Sequence, residues 1–253
     1  MDDMLYHIKV RKTEDLPRYM ITCGAPERAK WIADDFLEEA VELAHNREYW
    51  SFVGKYKGVR LAVSSMGIGS PSNAIGLEEF GMCGVDTFVR VGTAGSLQPH
   101  VSIGTLVNAT GAVRDEGTSP QYIPLEYPAV ATVDVVLALR EAAKRLGVPQ
   151  KEGLIHSKDS FYSEEPGYSA IPELLKQRWD AWMRGNVLAT EMESSLLFVL
   201  AQMRGWRAGT VVAVIGSTHD HSPISDNPKV GQKEAIRVAL EGVVRLAETD
   251  KGS

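Results

Sequence analysis

Short β-branched runs that end on a glycine and pass at once into an amphipathic stretch recur along this chain, and that unit constrains the fold more than any other feature. YMIT at 19–22 is followed by Gly24 and a helical stretch that the pattern carries through Glu38. VRLAVSS at 59–65 runs into MGIGSPSN and then a helix to about Met82. DTFVRVG at 86–92 ends in another glycine-rich turn. A strand that turns tightly into a helix wants glycine where the backbone is left-handed or closely approached. Strand–turn–helix units in series predict an α/β fold, a three-layer α/β/α sandwich around a mixed central β-sheet.

The remaining pattern fits the same plan. Strands are expected over 104–113, 153–157 and 208–215. A helix over 133–146 stops at Gly147, which suits a left-handed cap. Another is expected from Thr190 to Met203, with Thr190 as N-cap and Glu191 and Glu193 in its first turn. The last, over 230–248, spaces Ile236, Ala239, Leu240, Val243, Leu246 and Ala247 by threes and fours, leaving TDKGS as a fraying tail. Segments 115–130 and 162–177 lack periodicity and are expected to be loops that shape a pocket. No linker or repeat interrupts the chain, so one domain over residues 1–253 is expected.

Composition narrows the partners. With 27 Lys+Arg against 33 Asp+Glu, the net charge of -6 argues against a nucleic-acid binder. No apolar run approaches the ~18 residues of a membrane span. The start, MDDMLYHIKVRK, has no signal-peptide core. Cys23 and Cys83 are the only cysteines, which rules out a disulfide framework and fits a reducing cytoplasm. Without a CxxC, a structural zinc site is not expected, and the HxH of His219-Asp220-His221 has no third ligand in view.

Four motifs carry chemistry. In CGAPER, Cys23 to Arg28, a glycine turn frees backbone N–H groups for an anion, and Arg28 follows on the first helical turn. Taken alone, this is equally an ordinary turn with a solvated arginine. RVGTAGS, Arg90 to Ser96, repeats the arrangement, and ligands of open α/β sheets sit beyond such strand ends. Its Gly92-x-x-Gly95 is not a dinucleotide fingerprint. The segment from Met66 through Glu79 reads mainly as a tightly specified turn. In Glu191-Met192-Glu193, two acids two positions apart on a helix would not share a face, so they are expected to do different jobs. A carboxylate there suits a vicinal diol such as ribose, with Met192 against the sugar ring, or merely complements the helix dipole.

Together these motifs resemble the nucleoside phosphorylase superfamily of the trimeric and hexameric type, over nearly the whole chain. MGIGSPSNAI through Glu79 is similar to its signature, with Phe80 where Leu is usual. HNREY at 45–49, FVRVGTAGSLQPH at 88–100 and RDEGTSPQYIPLEYPAV at 114–130 look most like uridine phosphorylases. The resemblance implies phosphate held by Gly24, Arg28, Arg90 and Thr93, with Arg47 reaching in from a neighbouring subunit. It implies ribose at Met192 and Glu193, with the neighbour's His7 near O5′. Ala94, Gly95 and Phe161 would line the base site. Phosphorolysis of a pyrimidine nucleoside, uridine first, is the implied activity, and purine nucleosides or 5′-methylthioadenosine are the alternative. Family assembly implies a homodimer or a homohexamer of three dimers. No resident cofactor is implied, phosphate being a co-substrate, though Glu48, Ile68 and Ser72 match a monovalent-cation site at the dimer interface of some members.

The chain departs from the pattern at the base site. Uridine phosphorylases commonly carry Gln and Arg two apart after the Phe-Tyr pair, whereas SKDSFYSEEPGY at 157–168 has Glu165 and Gly167 there. Lys158 stands where Ser is usual, and is expected to donate to a base carbonyl; as plain sequence it is equally a surface lysine. Catalysis is thus expected at Arg90, Glu193 and Lys158. The purine-type Asp is not matched simply, since Asp220 comes several residues late. Ala25 replaces an Asp whose role is expected to be structural. His45, His100 and His156 are read as structural.

Overall fold

The computed structural model describes residues 3–163, 167–218, 224–227 and 229–252. The first half contains β1 (Tyr19–Cys23), α1 (Pro26–Phe36), β2 (Glu38–Asn46), β3 (Tyr49–Tyr56), β4 (Val59–Ser65), α2 (Ser70–Met82), β5 (Thr87–Ser96), β6 (Leu106–Asp115), α3 (Ser119–Tyr122) and β7 (Ala129–Val130). The second contains α4 (Val133–Leu146), β8 (Gln150–Lys158), α5 (Pro172–Arg184), β9 (Ala189–Glu191), α6 (Ser194–Arg204), β10 (Arg207–Ser217) and α7 (Gln232–Lys251).

The strands form one mixed sheet in the order β2-β3-β4-β1-β5-β9-β8-β6-β10, with β7 paired to β6. Strands β4, β1, β5 and β10 run parallel. Because β10 pairs with both β5 and β6, the strands β5, β9, β8, β6 and β10 close into a ring. The expected sandwich is therefore present, with one end of its sheet curled shut, which leaves that end no open edge.

Helices α1, α4 and α7 cover one face, packing Ile32, Leu139 and Ile236 with Ile21 and Val89. Helices α2 and α6 cover the other, packing Leu77, Phe80 and Phe198 with Met20 and Phe88. Neighbours Met20 and Ile21 go to opposite faces, as strand alternation requires. Burial on both faces is why β1 is apolar but for Thr22 rather than alternating.

Several local expectations need correction. The glycine-rich turn expected after DTFVRVG is strand, since β5 runs through Gly92 and Gly95 to Ser96 in pairing with β10. Helix α1 stops at Phe36, Leu37 is extended, and Glu38 opens β2. The sequence EEAVELAHN favours helix by composition, but pairing with β3 makes it an edge strand, tertiary contact overriding propensity. Helix α6 begins at Ser194, because residues 189–191 pair with β5 and β8. Thr190 caps nothing; its hydroxyl lies 3.0 Å from His156 Nδ1. The two expected loops also hold structure: α3 and β7 lie within 115–130, and α5 takes over from Pro172. By contrast, Gly147 caps α4 with φ +66° as the sequence predicts.

The tail does not fray at 249–251; α7 continues to Lys251. Asp250 accepts from Arg207 at 2.9 and 2.6 Å and from the Tyr19 hydroxyl at 2.7 Å, tying the last turn to β1 and β10. The Arg207 hydrogen bonds chiefly hold its carboxyl down to about 2. A depressed carboxylate stabilises the fold above its unfolded value and loses that contribution as pH falls through its folded one. Asp250→Asn is therefore expected to destabilise by about 2 kcal/mol at neutral pH. Thermal melts of both proteins from about pH 7 downward should converge as pH falls below about 4.

Candidate functional site

The site forms where β5 meets β9 and the start of α6. In register, Arg90 on β5 lies between Thr22 of β1 and Thr210 of β10. Its side chain is only 5% exposed. A guanidinium taken so far from water needs acceptors. Nε donates to Glu191 Oε2 at 3.1 Å, and Nη2 donates to Glu193 Oε2. Nη1 is buried and has no hydrogen-bond partner among the described residues. Gly92 makes this seating possible, since a β-carbon there would fall 2.9 Å from Arg90 Nη2.

Contrary to the sequence expectation, the two acids do not face different ways along a helix, but they are satisfied unequally. Both precede α6 and both turn to Arg90. Glu191 is saturated. It takes the Ser157 hydroxyl at 2.5 Å, the Ser194 hydroxyl at 3.0 Å and the backbone N–H groups of Glu193 and Ser194. The parallel β8–β9 register sets Ser157 beside Glu191. Burial alone would raise the Glu191 carboxyl, but Arg90, Ser157 and the backbone donors hold it below the ordinary value. Glu193 has fewer donors. Oε1 accepts the Gly69 N–H at 2.6 Å, and Oε2 takes Arg90 and the Met192 N–H at 3.3 Å. Burial, with the adjacent Glu191 charge, raises its carboxyl.

The turn at 66–73 is thus more than a turn. Gly67 and Gly69 have φ of +73° and +86°, which favours glycine, and that backbone aims the Gly69 N–H at Glu193. Ser70 Oγ donates to the Met192 carbonyl at 3.2 Å.

Arg28 comes from α1, on the opposite layer. Its Nε donates to Gln232 Oε1 at 3.0 Å and Nη1 to the Val91 carbonyl at 3.4 Å. Burial, then the positive charge of Arg90, pushes its pKa down. Gly24 lies beside it, where the turns after β1 and β4 are laced by Gly67 N–H to the Gly24 carbonyl at 3.0 Å. Thr93, Ala94 and Gly95 follow Arg90 along β5. Two guanidinium groups, one paired with two carboxylates but with Nη1 lacking a partner among the described residues, the other without a carboxylate there, suit a tetrahedral oxyanion.

Lys158 ends β8 and is buried, not a surface lysine. Its ammonium lies 5.4 Å from the Phe161 ring centre and 5.1 Å from that of Trp179. Phe161 itself is half exposed. Helix α5, which has no buried residue, docks through Arg178 to Asp115 and through Trp179 against His156. Glu165 and the stretch His219-Asp220-His221 lie outside the described residues.

His7 and Arg47 lie apart from this cluster but beside each other. Asn46, next to the exposed Arg47, donates to the His7 carbonyl at 2.7 Å. Glu79 fixes the same turn, accepting from Ile8 N–H at 2.9 Å and lying 2.6 Å from His7 Nδ1. Glu48 and Ser72 converge on Gly67, and Ser72 Oγ donates to the Ile68 carbonyl at 3.2 Å. Sequence reasoning missed Glu191 as an anchor, the parts that Gly69 and Gly92 play in the site, and Ser157 and Gln232 altogether. Only the glycines left a signal, as turn or strand-end residues with nothing else to explain them.

This site, at the carboxyl ends of parallel strands, is that of a small-molecule enzyme of the α/β class. The model of the phosphorylase superfamily matches residues 18–245, and the chain belongs to that family, as a pentosyltransferase. It is 45% identical to the uridine phosphorylase of Thermococcus kodakarensis over 253 residues, 99% of this chain and 89% of that protein. It is 42% identical to that of Treponema pallidum, over 98% of this chain and 96% of the other. A guanosine phosphorylase of Halorubrum lacusprofundi is 37% identical, over 92% and 95%.

Glu191→Gln should keep the side chain's shape but remove the charge and one acceptor, leaving Arg90 with Glu193 alone and a buried Ser157 or Ser194 donor unmet. Denaturant unfolding is expected to show a loss of about 3 kcal/mol, the scale for breaking a buried ion pair.

Proposed function

We propose that this enzyme cleaves a pyrimidine nucleoside by phosphorolysis, with uridine preferred: uridine and phosphate give uracil and ribose 1-phosphate. The observation that carries the phosphate half is Arg90, buried beside Arg28 with Nη1 lacking a partner among the described residues. The uridine half rests on the relatives that are uridine phosphorylases.

In this reading phosphate sits against Gly24, Arg28, Arg90 and Thr93. A phosphate oxygen forms the new bond to C1′ as the C1′–N1 bond breaks, and its electron pair leaves with the base. Positive charge grows on the sugar, where Glu193 and phosphate lie. Fixed charges in a dry site do this without reorganisation, and holding phosphate near C1′ removes an entropic barrier. Glu193 Oε1 has one bonded donor and keeps a second lone pair for a ribose hydroxyl, with Met192 alongside. Ala94, Gly95 and Phe161 line the base, Glu165 is assigned to it from its place in the sequence alone, and Lys158 donates to a base carbonyl as negative charge develops there. Gly167, at φ +88°, has no side chain to supply the usual clamp.

The adjacent His7 and Arg47 serve a second copy's site, so the active form is a homodimer or a homohexamer of dimers. The reading needs no resident cofactor and no nucleic-acid or membrane partner; among the described residues no helix is long and apolar enough to cross a membrane. Glu48, Ser72 and the Ile68 carbonyl fit a monovalent cation between copies, where it would bridge chains by charge alone. Both thiols are free and buried, in keeping with a cytoplasmic setting. A purine substrate is the second reading, favoured by the altered base loop and the guanosine phosphorylase relative.

The test is base release from uridine, thymidine, inosine, adenosine and methylthioadenosine, each with and without phosphate. Uracil is expected, and only with phosphate. Purine release overturns the specificity, and release without phosphate overturns the role of the arginines. Lys158→Ala should lower turnover of uridine roughly 100-fold, the scale of one charge-stabilising donor, and unchanged turnover removes Lys158 from the site.

A further inference from the structure

Arg90, buried, and Arg28, partly buried, are compensated unequally. Arg90 meets two carboxylates, Glu191 and Glu193. Arg28 makes no ion pair among the described residues, and its hydrogen-bond acceptors there are the Gln232 amide oxygen and the Val91 carbonyl. Gln232 is buried, 8% exposed, at the first position of α7. It follows Gly231, whose φ of +69° turns the chain into the helix, and a β-carbon there would come within 3.1 Å of the Gly104 carbonyl. The tight entry fixes where Gln232 stands.

We propose that Gln232 is a positioning residue for the oxyanion, acting through Arg28. The inference rests on the phosphate reading above. Its amide oxygen holds Nε, so the guanidinium plane is fixed and Nη2 is left for the anion. Its neutrality matters equally. A carboxylate in the same place would pair with Arg28 as Glu191 pairs with Arg90, and would repel a bound dianion. Burial already disfavours the charged guanidinium, and the neighbouring Arg90 adds to this. A cation in that setting with only neutral acceptors gains most from an incoming anion. Within this cluster, the charge that phosphate meets uncompensated is that of Arg28, and Gln232 keeps it so.

The test compares the full-length parent, Gln232→Glu and Gln232→Ala. Inorganic phosphate binding is measured by calorimetry without nucleoside, and the KM for phosphate and for nucleoside separately in turnover. Gln232→Glu, nearly isosteric, should weaken phosphate binding roughly tenfold or more, the effect of one added like charge beside a buried anion. Gln232→Ala, which frees the guanidinium but adds no charge, should weaken it roughly threefold to tenfold, the scale of one lost hydrogen bond. In both, KM for nucleoside should stay within about twofold, a split that general loosening of α7 would not produce. Parent-like phosphate affinity in either variant overturns the inference, and so does an equal loss for both substrates. A parent that binds phosphate and turns over nucleoside while the variants match it overturns this inference alone. A parent that binds no phosphate overturns the phosphate reading with it.

Discussion

The ion triad of Arg90 with Glu191 and Glu193 is the interaction on which the rest of the structure turns. A guanidinium at 5% exposure is costly to desolvate, and a single carboxylate would leave most of its donors unmet. Meeting them requires three distant parts of the chain in fixed relation. β5 must carry Arg90, residues 189–191 must be a strand rather than a helical turn, and the turn at 66–69 must offer Gly69 N–H to Glu193. Each condition appears in the backbone. β9 pairs with both β5 and β8, the ring of strands closes there, and Gly92 leaves the space that the guanidinium fills. The closed half of the sheet is thus the frame that keeps a buried charge solvated by protein.

The triad is also deliberately incomplete. Glu191 has no lone pair to spare, whereas Glu193 and Arg90 Nη1 retain bonding capacity. The acids sit at the start of α6, where the helix dipole favours negative charge, so both carboxylates gain stabilisation not drawn from Arg90. An anion entering beside Arg90 and Arg28 therefore finds donors already held in place. That preorganisation costs folding stability and is repaid when substrate binds.

How much of this was legible in the sequence depends on whether each feature is local or long-range. The strand–glycine–helix units at 19–28 and 59–82 could be read because turn chemistry is local, and Gly147 stopped α4 where expected; the glycine-rich turn expected after Gly92 could not, because pairing with β10 and β9 carries β5 on to Ser96. β2 could not, because EEAVELAHN has the composition of a helix and becomes a strand only against β3. The start of α6 was misplaced for the same reason: Thr190 is a good cap residue, and only its pairing with β5 forbids the role. Arg28, Arg90 and Glu193 stood out through motif resemblance. Ser157 and Gln232 did not, since a neutral polar side chain shows its use only when register or a helix entry puts it 3.0 Å or less from a charged partner. Lys158 was left open between surface and site, and burial beside Phe161 and Trp179 removes the surface reading.

The same division between local and long-range structure separates chemistry from specificity. The proposed oxyanion side is built on β1, β5 and β9, whose register is fixed by neighbours on both sides. The proposed base side is built on the chain beyond β8: half-exposed Phe161, exposed Tyr162 and Tyr168, and a helix α5 with no buried residue, held by Arg178 and Trp179 at its rim. Substitutions there disturb few buried contacts, so a sequence can exchange its base contacts while Arg90 and its carboxylates stay put. Such a scaffold explains why relatives of comparable identity include both uridine and guanosine phosphorylases. It also explains why this chain can keep every arginine of the motifs yet replace the usual residue pair with Glu165 and Gly167. Selection on the buried half acts through stability, whereas selection on the exposed half acts through the ligand alone.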